Sequence, residues 1–438
     1  MESQNKIPTG KVARASKFFK AGIKVGGNYA AHYTKKIFGG ESEEELDRKN
    51  AEAIFNALSQ LKGTALKIAQ MLSVDTGVLP KAYAEKFAMA QNNAMRLSAP
   101  LVMNTFQKYI GKSPYELFDE FNIDAVAAAS IGQVHEAYKD GKRLAVKIQY
   151  PGVADSIHSD INMVKPFVTR YLRVSPQAIH QYAEEIEDRL IEETDYEKEL
   201  SNGQEAFRVA LNHPQIVVPK YYPEWSNHRI LTMDWIEGDL LKDFINQEGN
   251  QELKNRIGQD LVDFFWDQIH HYKKFHADLH PGNFIITADQ KLGVIDFGCE
   301  KILPEDFYNQ YFSLTDDEIL HDRDRLRKVL IDLDFIRESD TPEEEKLYWD
   351  VTMKSIEIIS RPLKVDRFDF GNEQYNIDLQ SFGEELTSNQ ELKGDNAVRG
   401  SKHALFLHRA FVGLFTILYG LKAQVSFDKE FKSNLVLV

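Results

Sequence analysis

Two aspartates and an asparagine around a short apolar hairpin constrain the fold of this chain more than any other feature. Residues 276–283 read HADLHPGN, and a DFG tripeptide begins at Asp296, which is 18 residues after Asp278. Between these segments, the apolar residues of 283–287 and 292–295 predict two short paired strands. Asn283 and Asp296 supply oxygen atoms, which magnesium prefers to the nitrogen atoms of the nearby histidines.

This arrangement resembles the catalytic loop and the DFG motif of protein-kinase-like folds, in which an Asp lies five residues before an Asn. Asp278 and Asn283 have that spacing. The resemblance implies that Asp278 is a catalytic carboxylate near the incoming nucleophile, and that Asn283 and Asp296 bind the Mg²⁺ that accompanies ATP (or ADP). A DFG tripeptide alone is a weak signal, whereas the two motifs together are specific.

A second kinase-like segment ends at Lys147. Residues 144–147 read LAVK and lie in the second strand of a predicted hairpin with an Asp-Gly turn at 140–141. Lys147 is predicted to hold the α and β phosphates and to pair with a helix glutamate, Glu199. Both residues join Asp278 in the predicted catalytic set.

The helix that carries Glu199 is predicted over residues 182–207. On a regular helix, Glu192, Asp195 and Glu199 share one face, where like charges repel by about a few tenths of a kcal/mol per pair. A solvated acidic face is one interpretation. The other is that cations offset the repulsion, with Lys147 serving Glu199.

The loop before the first hairpin departs from ordinary kinases. Residues 127–134 read AAASIGQV where a glycine-rich loop is usual, and the added Cβ atoms limit close approach of the backbone to phosphates. We therefore expect the nucleotide to be held differently. The predicted nucleotide contacts are Ala127, Ala128, Ala129, Ser130, Val134, Ala145, Lys147, Met233, Asp234 and Ile236.

The segment after the DFG tripeptide is short. Leu303-Pro304-Glu305 follows five residues after Gly298, where peptide kinases carry a long activation segment. No segment remains there to hold a peptide, so a small-molecule substrate or simple ATP hydrolysis is favoured.

Hydrophobic periodicity predicts an α+β layout rather than alternating βαβ units. We expect helices at 43–61 and 251–272, strands at 134–138, 143–149 and 229–235, and a helical region after Pro304 with a loop-like stretch near 363–400. The predicted divisions are a helical N-terminal extension (1–115), a kinase-like N-lobe (116–236) and a helical C-lobe (237–438).

Together these segments resemble the UbiB (aarF-domain) family of atypical kinases over nearly the whole chain. The residues that carry the resemblance are the alanine-rich loop, the lysine segment 145–152, the run Glu193-Thr194-Asp195-Tyr196, and Lys67-Ile68-Ala69-Gln70, which is similar to the family's K-x-G-Q motif. The resemblance implies N-terminal helices packed over the active site, with Lys67 and Gln70 facing the nucleotide and Lys67 near Glu193 or Asp195.

The same resemblance implies an Mg-ATP-dependent small-molecule kinase or ATPase that supports isoprenoid quinone biosynthesis at a membrane surface, with a lipid or quinone precursor as ligand. Three alternatives remain open. The first is a nucleotide- or lipid-binding scaffold that transfers nothing, and the second is a conventional protein kinase. The third is a zinc protein whose ligands are His270, His271, His276 and His280.

The charge is unevenly distributed. The formal net charge is −14, which disfavours a nucleic-acid partner, yet residues 1–38 hold eight Lys and Arg against one acid. This basic segment is expected either to pack on the acidic kinase body or to bind an anionic membrane surface. The single Cys299 excludes an internal disulfide.

Targeting signals are weak. The N-terminus lacks a secretory signal, and the longest apolar stretch, 410–421, is too short to span a membrane, which needs roughly 18 residues. We expect a cytoplasmic protein that is either free or peripheral on the inner face of the membrane.

Overall fold

The computed structural model describes residues 43–61, 86, 96–128, 131–171, 183, 186–188, 190–388 and 399–430. The predicted basic segment 1–38, the motif residues Lys67 and Gln70, and Ala129 and Ser130 lie outside the described residues.

The described helices and strands follow one another in the order below. The helices are α1 (Glu43–Leu61), α2 (Ala99–Tyr109), α3 (Pro114–Leu117), α4 (Val153–Tyr171), α5 (Tyr196–Ala210), α6 (Leu241–Ile245), α7 (Gln251–His270), α8 (Glu305–Ser313), α9 (Asp317–His321), α10 (Arg323–Asp332), α11 (Pro342–Ser360), α12 (Glu373–Ser388) and α13 (Lys402–Leu421). The strands are β1 (Glu120–Phe121), β2 (Ala127–Ala128), β3 (Gly132–Lys139), β4 (Lys142–Gln149), β5 (Ile216–Val217), β6 (Ile230–Asp234), β7 (Gly238–Leu240), β8 (Lys274–His276), β9 (Phe284–Thr287), β10 (Leu292–Val294), β11 (Glu300–Ile302), β12 (Phe368–Asp369) and β13 (Gln424–Val425).

The chain divides into two compact units. The first comprises residues 1–201 and 220–235, and the second comprises residues 202–219 and 236–438. The predicted division into an extension and two lobes stays a prediction.

The first unit is built on an antiparallel sheet in the order β1-β3-β4-β6, with β2 also paired to β3. The β3–β4 hairpin is the one that the sequence predicted. Its turn places Asp140 at φ 51° and Gly141 at φ 74°, the left-handed conformations that a two-residue hairpin turn requires. One face of the sheet packs on α2, where Phe106 is fully buried against Phe118 and Phe121.

A chain of buried polar groups crosses this core. Gln133 accepts a hydrogen bond from the backbone N–H of Leu97 (2.7 Å), and its amide lies 2.7 Å from Nε2 of His135. Nδ1 of His135 lies 2.9 Å from the carbonyl oxygen of Asn122. These bonds attach two connecting segments to β3, and every polar atom named here has a partner, as burial requires.

The prediction of one continuous helix over 182–207 is wrong. The chain is helical through residue 193, turns at Thr194, and starts α5 at Tyr196. Asp195 caps α5, because its Oδ1 accepts from the N–H of Lys198 (3.0 Å), and Glu192 pairs with the ammonium of Lys198 (3.2 Å). Glu192, Asp195 and Glu199 therefore do not form one continuous acidic stripe.

The second unit contains a four-stranded sheet in the order β5-β10-β9-β7 and a short β8–β11 ladder. The predicted hairpin between the two aspartate motifs is present as β9 and β10. Helix α7 buries the predicted face, including Ile257, Leu261 and Ile269. Helix α13 lies beside it, with Phe265 and Phe411 in edge-to-face contact at 5.9 Å.

The predicted loop near 363–400 is wrong in part, since it contains α12. The Asn372 side chain accepts from the N–H groups of Gln374 (2.9 Å) and Tyr375 (3.4 Å) at the start of this helix. Tyr375 and Phe382 anchor it in the core. Among the residues of α12 whose burial is described, these two lie seven positions apart in an otherwise polar stretch, which gives a weak helical periodicity.

Helix α13 is longer than the apolar stretch counted from the sequence. It has 20 residues and a window of mean hydropathy 1.6, so that among the described helices it alone has the length and composition of a membrane span. Half of that window is buried within the protein, as in the core helix of a soluble protein. Length and composition are therefore weak grounds for a span.

Buried histidines predict how stability depends on pH. Burial lowers the pKa of His270 to about 3 and that of His135 below its usual value. The unfolded chain binds these protons near pH 6.5 and the folded chain does not. The free energy of unfolding should therefore fall as pH drops below 6.5, by about 1.4 kcal/mol per pH unit for His270, with a further decrease of the same sign from His135.

Urea unfolding of the wild type and of His270→Gln between pH 5.0 and 7.5 measures this contribution. In His270→Gln the free energy of unfolding should fall less steeply with decreasing pH, by the slope that corresponds to about one proton. Equal slopes for the two proteins would contradict a neutral His270.

Candidate active site

A buried ion pair joins β4 to α5 in the first unit. Nζ of Lys147 lies 2.9 Å from both carboxylate oxygens of Glu199, and also lies 5.2 Å from the ring centre of Tyr196. The side chains of Lys147 and Glu199 are 15% and 1% exposed. The predicted pairing is thus present, and its catalytic role stays a prediction.

Several predicted nucleotide residues share one face of the first sheet. Val134 lies opposite Lys147, and Ala145 lies opposite Met233. Residues directly opposite on paired strands point to the same side, and β4 alternates so that this face is the one away from the Phe106 core. The side chains of Val134, Ala145, Lys147 and Met233 are therefore grouped together.

Other predicted residues lie elsewhere. Asp234 lies opposite Leu144 on the core side, where its carboxylate accepts from the hydroxyl of Tyr222 (2.7 Å) and the N–H of Lys220 (3.3 Å). Ile236 lies in the second unit, where its Cγ2 is 3.1 Å from the position of a Cβ built on Gly293. The role of each of these residues in binding nucleotide stays a prediction.

One glycine remains at the end of the alanine-rich loop for a packing reason. A Cβ on Gly132 would lie 2.7 Å from the carbonyl oxygen of Ile148 and 2.8 Å from the hydroxyl of Tyr196. Gly132 therefore allows β3 to approach the start of α5, just beyond Glu193-Thr194-Asp195.

Asp278 and Asn283 are connected directly in the second unit. The amide nitrogen of Asn283 donates to the carbonyl oxygen of Asp278 (3.0 Å) and lies 3.4 Å from its carboxylate. Because the nitrogen faces Asp278, the amide oxygen is the atom of Asn283 that suits a cation. The N–H of Ile295 donates to the Asn283 carbonyl (3.1 Å) and fixes this residue to the end of the hairpin.

Asp296 has a fixed carboxylate. Its Oδ1 accepts from the N–H of Gly298 at 2.9 Å. With Asn283 it offers hard oxygen donors, which fits Mg²⁺, an ion usually held by one or two protein ligands together with phosphate oxygens. Within the ranges that the structure describes, no three His, Cys, Asp or Glu side chains gather as a protein-only metal site would need.

The four histidines proposed for zinc have other partners. Nδ1 of His276 accepts from the N–H of Asp278 (3.1 Å), and Nδ1 of His280 accepts from the N–H of Gly282 (3.0 Å). His270 contacts the hydroxyl of Tyr308, and His271 contacts Asp267. His276 and His280 thus each hold a backbone N–H of the loop at residues 276–283.

Comparison with known proteins decides the family. A family model described as the ABC1 atypical kinase-like domain matches residues 89–330, more than half of the chain. This chain belongs to the ABC1 atypical kinase-like family. The resemblance to UbiB (aarF-domain) kinases and the kinase-like fold with mixed helices and sheets are confirmed.

Relatives of known sequence cover almost all of the chain. It is 28% identical over 437 residues to the mitochondrial atypical kinase COQ8B of Danio rerio, covering 97% of this chain and 68% of the relative. It is 28% identical over 438 residues to the mitochondrial atypical kinase COQ8 of Saccharomyces cerevisiae, covering 97% and 85%. A solved structure described as the Rv3197–erythromycin complex from Mycobacterium tuberculosis has a TM-score of 0.60 at 27% identity, covering 90% of this chain and 97% of that one.

Membership in the ABC1 family implies that the kinase-like fold binds ATP, for which Mg²⁺ is the usual ion. The individual site residues remain predictions.

The loop at residues 276–283 packs closely against α13. A Cβ on Gly413 would lie 2.5 Å from the carbonyl oxygen of Leu279 and 3.1 Å from its Cβ. Leu279 follows Asp278, so the contact with Gly413 limits where the loop backbone lies. No sequence motif indicates this contact.

Gly413→Ala is expected to destabilise the protein, because either the helix or the Leu279 backbone must move. Gly383→Ala in α12 is the matched control, since nothing lies within 4 Å of its Cβ position. In the control, the better helix propensity of Ala should stabilise by up to about 1 kcal/mol. Equal midpoints for the two variants in denaturant unfolding would contradict a tight contact between α13 and the loop.

Proposed function

We propose that this protein binds Mg-ATP and transfers the γ-phosphoryl group to a small molecule or to water. The observation that carries the proposal is the buried Lys147–Glu199 pair. Burying two charges costs desolvation energy that well-packed apolar residues avoid, so such a pair is weak evidence for stability. Its presence on the face shared with Val134, Ala145 and Met233 supports a role in holding nucleotide phosphates.

The remaining roles follow from the chemistry of the donors. Asn283 and Asp296 would hold Mg²⁺, which supplies charge neutralisation on the phosphate oxygens when bound. Asp278 would accept the proton of the attacking hydroxyl or water as the new oxygen–phosphorus bond forms and the bond between the γ-phosphorus and the β–γ bridging oxygen breaks, with ADP as the leaving group. The hydrogen bond from the Asn283 amide to the main-chain carbonyl of Asp278 keeps these two residues side by side.

The acceptor is proposed to be small. Only β11 and a few residues separate Gly298 from the start of α8 at Glu305, which leaves little chain to bind a peptide. The named COQ8 relatives support a role in isoprenoid quinone biosynthesis, with a lipid or quinone precursor as acceptor or ligand. Association with a membrane surface through residues 1–38 is part of the same proposal.

Asp296→Asn tests the nucleotide assignment. Mg-ATP or Mg-ADP at about 100 times its dissociation constant should stabilise the wild type by about 2.7 kcal/mol, and Asp296→Asn should lose the Mg²⁺-dependent part. Lys147→Met is a poorer test, because it leaves Glu199 buried without its cation, at a cost of about 3–5 kcal/mol.

The matched control is Asp289→Asn, an exposed aspartate in the turn of the same hairpin. It should keep the full stabilisation in a thermal-shift measurement with and without EDTA. An unchanged Mg²⁺-dependent shift in Asp296→Asn would remove that residue from the metal site.

The rate of phosphate release from ATP tests the role of Asp278, and this release should be lost in Asp278→Asn. If the wild type binds nucleotide but releases no phosphate, with or without candidate lipids, the scaffold alternative is favoured.

Removal of residues 1–38 tests the membrane part. Anionic phospholipid vesicles should co-sediment the full chain more at low than at moderate salt, because each Lys or Arg near an anionic surface contributes about 1 kcal/mol that salt screens. The truncated chain should bind fewer vesicles. Undiminished co-sedimentation would leave the basic segment only a packing role.

A further inference from the structure

Lys274 is surrounded by oxygen atoms close to the catalytic loop. It lies on β8, four residues before Asp278, and its side chain is 18% exposed. Its ammonium nitrogen lies 2.6 Å from Glu205 Oε2, 2.7 Å from Glu300 Oε2 and 3.1 Å from Asn202 Oδ1. An ammonium has three N–H groups and no acceptor, so this arrangement matches its capacity.

The contact with Lys274 determines how the Asn202 amide is oriented. Because an ammonium only donates, the oxygen of the Asn202 side chain must face Lys274, and the nitrogen must face the other way. That nitrogen donates to the carbonyl oxygen of Phe297 at 3.0 Å. Asn202 is 5% exposed, so water has little access to replace this bond.

The peptide between Phe297 and Gly298 is held at both ends. Its C=O accepts from Asn202, and its N–H donates to Oδ1 of Asp296 at 2.9 Å. A peptide unit is planar, so fixing the direction of its C=O also fixes the direction of its N–H. Asn202 therefore controls, through one rigid plane, the hydrogen bond that orients the Asp296 carboxylate.

Neighbouring contacts hold the ends of the same segment. The N–H of Ala277 donates to the carbonyl oxygen of Cys299 (2.8 Å), and Glu300 lies opposite His276 in the β8–β11 ladder. Lys274 and Glu300, one on each strand of that ladder, form the ion pair described above. Within this segment, Asn202 supplies the side-chain hydrogen bond that reaches the Phe297 carbonyl.

We propose that Asn202, held in orientation by Lys274, is a positioning residue that aims the Asp296 carboxylate for Mg²⁺ through the 297–298 peptide plane. This inference rests on the proposed role of Asp296 in binding Mg-nucleotide. Asn202 touches neither metal nor nucleotide in this scheme. It acts on the geometry of the ligand.

Asn202→Asp and Asn202→Ala test the proposal. Asp has the shape of Asn and still accepts from Lys274, but its ionised side chain cannot donate to Phe297. With ATP at a fixed saturating concentration, the Mg²⁺ concentration at half-maximal thermal shift should rise about 10-fold or more in both variants, the range typical of lost partners of metal ligands. The shift caused by ATP in EDTA should stay as in the wild type, which a general loss of stability would not produce.

Ser201→Ala is the matched control, because Ser201 is the exposed neighbour of Asn202 in the same helix. It should leave the Mg²⁺ midpoint unchanged. A Mg²⁺ midpoint that matches the wild type in both Asn202 variants would overturn the proposal.

Hydrogen exchange of the protein without nucleotide separates this proposal from the proposed function. The amide of Gly298 should exchange faster in Asn202→Asp and Asn202→Ala, while the β9–β10 hairpin should be unchanged relative to the wild type. Unchanged exchange at Gly298 would overturn the positioning role. If the wild type shows no Mg²⁺-dependent thermal shift at all, the proposed nucleotide function fails, and the metal part of this inference fails with it. Faster exchange at Gly298 in the Asn202 variants would then support only the role of Asn202 in fixing the 297–298 peptide.

Discussion

The main chain around Asp278 and Asp296 depends on hydrogen bonds supplied by side chains from other elements. Gln268 of α7 accepts from the N–H of His276, and Asn202 of α5 donates to the carbonyl of Phe297. Buried polar backbone groups need partners. The positions of both aspartates therefore depend on side chains of two helices: Gln268 lies eight residues before His276, whereas Asn202 lies 95 residues before Phe297.

The long apolar helix α13 also contacts the main chain next to Asp278. Helix α13 packs against the loop at residues 276–283 through Gly413, where the absence of a Cβ lets the helix approach the Leu279 carbonyl. Its buried residues pack on α7, whose own side chain Gln268 holds His276. Half of the apolar window of α13 is thus buried within the protein, and one contact of this helix is with the Leu279 backbone.

In the first unit, the break before α5 has a comparable role. The cap formed by Asp195 starts a new helix at Tyr196, and Gly132 leaves room for the Tyr196 hydroxyl beside β3. Glu199 then lies one turn into the helix, paired with Lys147 on β4. In a continuous helix, Glu192 and Asp195 would lie on the same face as Glu199. With the observed break, Glu192 forms an ion pair with Lys198, and the Asp195 carboxylate accepts a hydrogen bond from the backbone N–H of Lys198.

The sequence by itself determined the features that depend on neighbouring residues. The Asp140-Gly141 turn follows from the left-handed conformations that these residues accept, and the spacing of Asp278, Asn283 and Asp296 indicated a kinase-like site because the intervening hairpin is local. The alternation along β4 likewise separates Lys147 from the core residues beside it. Only the tertiary structure decided the role of Asn202, which is 95 residues from Phe297, and of Gly413, which contacts a loop more than a hundred residues earlier. A single buried amide or a missing Cβ leaves no periodic signal in a sequence, because its meaning depends on which distant backbone group lies opposite it.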